Sequence, residues 1–64
     1  MGIMGFNKRY VNHQNTLVAL KSNKLKEYYG KSDTLIFEDN ESERIYSLFV
    51  EGKTEDEILK LINL

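Results

Sequence analysis

The sequence predicts a small α+β domain: an antiparallel sheet of three to four strands followed by two short C-terminal helices. Three observations lead there. Apolar residues in the second half recur at helical spacing, and short runs of β-branched and aromatic residues, separated by Asn, Ser, Asp and Gly, fill the first half. The third is length, since 64 residues hold a single domain, 1–64, at roughly 100–200 residues per domain.

In chain order, the first eight residues are expected to fray. Arg9–His13, Thr16–Lys21 and Thr34–Glu38 read as strands, with Gln14-Asn15 as a hairpin turn between the first two. Residues 22–30 are ambiguous. Leu25, Tyr28 and Tyr29 fit a helix between a Ser22 cap and Gly30, whereas Leu25, Glu27 and Tyr29 alternate as a strand does, and the reading leans slightly to strand. Beyond Asn40, Ile45, Leu48 and Phe49 fall at i, i+3, i+4 on one helical face. Asn40 is the expected cap, Glu43 completes a capping-box arrangement, and Gly52 ends the helix. Thr54-Glu55-Asp56-Glu57 is a second capping box with three acids where the helix dipole favours them, and Ile58, Leu61 and Ile62 form the buried face that follows. The short Gly52-Lys53 connection makes the two helices a helix-turn-helix pair.

Composition bounds the function classes. With 41% apolar and 30% charged residues the chain is expected to fold rather than remain disordered. A domain this small buries only about 60% of its unfolded surface, so its core supplies roughly 3–5 kcal/mol. No cysteine is present to add a disulfide or a thiolate metal site. A homo-oligomer, most simply a dimer, or docking on a partner is the expected remedy. No apolar run approaches the ~18 residues that span a bilayer, and the N-terminus lacks the layout of a secretory signal. A cytoplasmic protein without membrane contact is expected. Phe6 stands where a myristoylation site takes Ser or Thr, and Asn40-Glu41-Ser42 fits the glycosylation tripeptide without the secretory route it needs.

The net charge of −1 hides a bipolar chain. Residues 1–31 hold six basic groups and one acid, residues 32–64 nine acids and three basic groups. Such asymmetry favours attraction between the halves or toward charged partners.

No constellation carries catalysis. His13 is the single histidine and lies far in sequence from every serine, whereas nucleophilic catalysis needs a base within hydrogen-bond reach. Asp39, Glu41 and Glu43 have the rhythm that opens a calcium loop, but Arg44 stands where that loop requires glycine. Gly52-Lys53-Thr54 has the ending of a phosphate-binding loop, yet Ser47 occupies the place of its first glycine and a helix precedes it. Neither an enzyme, nor a metal site, nor a cofactor is expected.

Two features suit a binding module. One is a bare sheet edge, to which an extended peptide can add as another strand. The other is an excess of aromatics: Phe37 and Phe49 are assigned to the core, while Tyr28, Tyr29 and Tyr46 are divided between packing and an interface.

The strand ending in acid and amide residues, the helix Ile45-Tyr46-Ser47-Leu48-Phe49, the glycine turn and Lys53-Thr54-Glu55-Asp56-Glu57-Ile58 together resemble the PqqD-like domains, or RiPP recognition elements, over residues 34–63. The resemblance implies three antiparallel strands before a winged-helix-like part, and binding of a precursor peptide's leader as an added strand along the third. Thr34, Leu35, Ile36, Phe37 and Glu38 would be the receiving strand, and the resemblance carries over to no other residues; Tyr28, Tyr29 and Tyr46 are partner contacts only on the aromatic argument above. Two departures stand out: Glu38 replaces the family's usual apolar residue, and the sequence stops at Leu64, before the third helix that walls the family's groove.

Two other readings remain open. One is a phage- or plasmid-type regulator that binds and inhibits a larger host protein. The other is a helix-turn-helix transcription regulator, disfavoured because the acids of the last helix repel phosphate; nucleic acid would have to meet the basic face of Lys8, Arg9, Lys21, Lys24 and Lys26.

Overall fold

The computed structural model describes residues 8–30 and 34–63. In chain order these form β1 (Lys8–Val11), α1 (His13–Lys21), α2 (Leu25–Gly30), β2 (Thr34–Phe37), α3 (Asn40–Val50) and α4 (Glu55–Ile62). β1 and β2 pair in parallel, from Lys8 opposite Thr34 to Val11 opposite Phe37. The expected antiparallel sheet of three to four strands is thus incorrect: the described residues hold two parallel strands and four helices, not two. The three antiparallel strands implied by the resemblance to PqqD-like domains are likewise absent among them. Of the segment expected to fray, residues 1–7 lie outside the described residues, and Lys8 opens β1.

The reversal of the sheet follows from what happens after β1. Parallel strands need a long crossover, usually helical, and residues 13–30 supply it as α1 and α2. The expected strand Thr16–Lys21 is helix, and Gln14-Asn15 is not a hairpin turn but the first turn of α1. Asn12 directs this, its side chain accepting the Asn15 N–H at 2.8 Å, as an N-cap does. Thr16, Ala19 and Leu20, at i, i+3, i+4, form the buried stripe of α1. The expected strand Arg9–His13 is correspondingly shorter, with His13 already helical.

Residues 25–30, toward which the strand reading leaned, are also helical. Asn23, at φ +59°, turns the chain at the end of α1 while Lys24 N–H reaches back to Ala19 O at 2.8 Å; Asn is among the few residues that tolerate this left-handed region. The Leu25 N–H that opens α2 is held by the Glu55 carboxylate of α4 at 3.1 Å. A six-residue helix is marginal by itself, and this one is fixed by a residue thirty positions away.

The C-terminal pair of helices forms, with two differences from expectation: Ile58 is buried and Ile62 packs against the core, but Leu59 rather than Leu61 joins them there, and one cap shifts. Asp39 rather than Asn40 caps α3, accepting the Ser42 N–H at 2.9 Å. Gly52 takes φ +97° in the turn, a conformation costly for a residue with a Cβ. Thr54 and Glu57 then exchange bonds, Thr54 N–H to Glu57 Oε1 at 2.9 Å and Glu57 N–H to Thr54 Oγ1 at 3.1 Å. Thr54→Ala removes the hydroxyl side of this box and is expected to cost about 1 kcal/mol, read as a lower urea midpoint with an unchanged slope.

The core gathers Val11, Ala19, Leu20, Leu25, Tyr29, Ile45 and Ile58, drawn from β1 and all four helices. Among the described residues Thr16 and Ser42 are buried with their hydroxyls bonded: Thr16 Oγ1 donates to Asn12 O at 2.6 Å, and Ser42 Oγ lies 3.2 Å from Val11 O and 3.0 Å from Asp39 O. In β2, Leu35 and Phe37 pack against this core. Strand alternation therefore turns Thr34 and Ile36 to the opposite sheet face, shared with Tyr10, which is 58% exposed.

Candidate functional site

The residues singled out in the sequence converge on two hollows and one strand edge. One hollow, about 600 Å³, is lined by Lys26, Tyr29 and Gly30 of α2, Leu35 and Phe37 of β2, and Tyr46 and Phe49 of α3. β1 contributes nothing to its wall, so it opens along the side of β2 away from the sheet partner.

Its walls are built by helical and strand periodicity acting together. Lys26, Tyr29 and Gly30 fall at i, i+3, i+4 on α2, Tyr46 and Phe49 at i, i+3 on α3, and Leu35 and Phe37 at i, i+2 on β2. Tyr29 is the hub. Its ring stands 4.8 Å from that of Tyr46 in an edge-on arrangement, 5.1 Å from Phe49 and 5.4 Å from Tyr28, while Phe37 lies 5.2 Å from Tyr46. Contacts of this kind contribute about 0.5–1.5 kcal/mol each beyond area burial, so the walls are held without a ligand.

Burial, followed by the neighbouring Tyr28 and Tyr46 hydroxyls, pushes the Tyr29 phenol well above its ordinary range. It is a hydrogen-bond donor at any working pH. Yet the Tyr28 and Tyr29 hydroxyls are buried without a hydrogen-bond partner among the described residues.

The strand edge beside this hollow is open. Glu38 N–H donates to Val11 O at 2.8 Å, and backbone direction alternates along a strand, so Thr34 and Ile36 also face β1 while Leu35 and Phe37 turn their N–H and C=O outward. Among the described residues no backbone group bonds that outer side. Glu38 lies past the end of β2, with its carboxylate 3.4 Å from Asn12 Nδ2 and away from the hollow.

The second hollow, about 570 Å³, is lined by Arg9 of β1, Asn15, Val18 and Ala19 of α1, Ser22 and Lys24, and Glu27 and Tyr28 of α2. The Arg9 guanidinium sits 4.9 Å from the centre of the Tyr28 ring, within cation–π range. The expected basic face is therefore divided. Arg9 and Lys24 share this hollow with the carboxylate of Glu27, Lys26 belongs to the other, and Lys8 and Lys21 line neither.

The carboxyl ends of parallel strands are where open α/β sheets bind ligands. Here Asp39 already fills that position, its two oxygens taking the His13 N–H of α1 and the Ser42 N–H of α3, each at 2.9 Å. The Ser42 side chain first, then these two amides, hold its carboxyl below the usual carboxylate range. His13 Nδ1 is buried there without a partner, and no group of three or more metal-ligating side chains occurs among the described residues. Nor is any described helix long and apolar enough to cross a membrane.

Sequence reasoning named Leu35, Phe37, Tyr29 and Tyr46 as site residues or core and the structure brings them together, but it placed Phe49 in the core alone. The spacing of Tyr46 and Phe49 was the available signal, since an i, i+3 aromatic pair beside Ile45 marks the rim of a buried stripe. No protein-family model matches this chain, and no curated protein and no solved structure matches it either.

Proposed function

We propose that this chain is a non-catalytic binding module that receives an extended peptide along the outer edge of β2. The observation that carries the reading is the adjacency of that open edge to the aromatic hollow. An added strand takes its affinity from backbone bonds to Leu35 and Phe37 and its specificity from alternate side chains entering the hollow. Either a free precursor peptide or a strand of a larger protein meets these requirements. Delivery of a precursor peptide to a modifying enzyme, the role implied by the resemblance to PqqD-like domains, is one use of such a module.

Amide exchange tests it. Short peptides selected on the full chain from a random displayed library are expected, at saturation, to slow exchange of the Leu35 and Phe37 amides. Thr34 and Ile36, already turned to β1, change little. Selection of no binder, or of binders whose protection falls on other elements, overturns the reading.

A further inference from the structure

The sheet is electrically polar because its strands are parallel. Both start at one end, where β1 opens with Lys8 and Arg9, and both finish at the other, where Glu38 and Asp39 follow β2. Lys31 and Asp33, just ahead of β2, lie outside the described residues and are one of each sign, so they leave this difference unchanged. The outer edge of β2 also matches itself. Leu35 and Phe37 turn their N–H and C=O groups outward, so an antiparallel copy of β2 can set its Phe37 against Leu35 and its Leu35 against Phe37, each pair exchanging both bonds, with Ile36 opposite Ile36 on a two-fold axis. This register alone pairs all the outward groups of both strands within β2. The same rotation lays the basic end of one sheet beside the acidic end of the other. Lys8, Thr34 and the second copy's Glu38 then stand in one row, the two charges roughly 10 Å apart, and Tyr10 and Ile36 of both copies form the next. Head-to-tail addition, β2 of one copy parallel to β1 of another, would set base beside base and acid beside acid, which costs free energy, and would leave bare edges on a growing series.

We propose that in the free protein the β2 edge is occupied by β2 of a second copy, paired antiparallel about a two-fold axis at Ile36, and that a bound peptide takes that copy's place. On the inner face Leu35 and Phe37 of one copy meet Phe37 and Leu35 of the other at the mouth of the aromatic hollow, an aliphatic–aromatic cross-strand pairing of the kind that stabilises sheets. Lys26, which lines each hollow, is exposed and keeps its ammonium in water. This inference deepens the reading of β2 as a receiving edge, by naming an occupant, and rests on it.

Sedimentation of the full chain from micromolar to millimolar concentration is expected to pass from one chain to two. Exchange of the Leu35 and Phe37 amides slows as the dimer fills, while Thr34 and Ile36, already turned to β1, change little. Peptides selected on the chain return the dimer to single chains. Ile36→Lys sets two ammonium groups opposite each other, and Ile36→Glu two carboxylates. Ile36 is not part of the core cluster, so both variants are expected to fold, as far-UV circular dichroism checks. Each alone self-associates roughly tenfold more weakly or worse, and an equal mixture restores a dimer with one copy of each. A chain that stays single at every concentration while selected peptides protect Leu35 and Phe37 overturns this inference and leaves the receiving edge standing. A dimer protected on other elements, an open series of larger species, or Ile36 variants that fail to associate when mixed overturn it as well. A single chain whose Leu35 and Phe37 amides no peptide protects removes both.

Discussion

Leu25→Ala is expected to remove most of the protein's stability at room temperature. Leu25 is fully buried, and its N–H, which has no acceptor within α2, donates to the Glu55 carboxylate of α4. It sits where α2 begins and packs in the same core as Leu20 of α1, Ile45 of α3 and Ile58 of α4. Truncating a fully buried leucine costs roughly 2–5 kcal/mol, depending on how far the neighbours collapse into the space. A domain of this length has about 3–5 kcal/mol in total, so one substitution removes most of the margin. Far-UV circular dichroism against urea is the measurement, with Val18→Ala as the control. Val18 is 64% exposed on α1, and its truncation stays within about 0.5 kcal/mol. A loss below about 1 kcal/mol for Leu25→Ala would mean that the four helices do not share one interdependent core.

That interdependence explains which elements could be read from the sequence. α3 and α4 carry their signals locally: the Ile45, Leu48, Phe49 stripe, the Gly52 turn and the Thr54 to Glu57 box all act within a few residues. The single cap that shifted, from Asn40 to Asp39, moved by one position between two residue types that both cap well. β2 was legible as a strand because Leu35-Ile36-Phe37 is short, apolar and β-prone. Its direction was not, because parallel or antiparallel pairing depends on what lies between the strands. There the local signals misled. Thr16 and Val18 are β-branched, and their strand propensity outweighed a Thr16, Ala19, Leu20 spacing that fits a helix equally well; intrinsic preference is weak enough for tertiary packing to override it. α2 was left as one of two alternatives for a different reason, since Glu55, which holds its first N–H, is distant in sequence.

The candidate site divides along the same line. Tyr28, Tyr29 and Tyr46 were recognisable as more aromatic surface than a small core needs, and Leu35 and Phe37 as part of an available edge. That Lys26 stands with them, while Arg9 and Lys24 stand apart with Glu27, depends on α2 being helical. In an extended 22–30, Lys24 and Lys26 would share one face. The division of the basic residues is therefore a property of the tertiary fold.

Asp39→Ala is expected to lower the melting temperature by roughly 10 °C, combining a lost helix cap with a lost tie between helices. One carboxylate serves both helix N-termini, α1 through His13 N–H and α3 through Ser42 N–H, and each terminus carries the positive end of a helix dipole. Alanine leaves both amides without this acceptor, and the His13 amide is partly buried. Asp39→Asn keeps the shape with one carbonyl oxygen in place of two, so it falls between alanine and the native chain. The effect has a defined pH dependence. Because the folded chain holds the Asp39 carboxyl below the usual range, its contribution is complete above the unfolded value near pH 4 and is lost as the pH falls through and below it. Glu57, lowered by the Thr54 N–H and then its hydroxyl, acts in the same direction. Melting curves from neutral to strongly acidic pH should therefore show the native chain descending toward Asp39→Ala as the carboxylate is protonated. If the gap between the two stays constant across that range, Asp39 acts through packing and not as a charged acceptor joining the two helices.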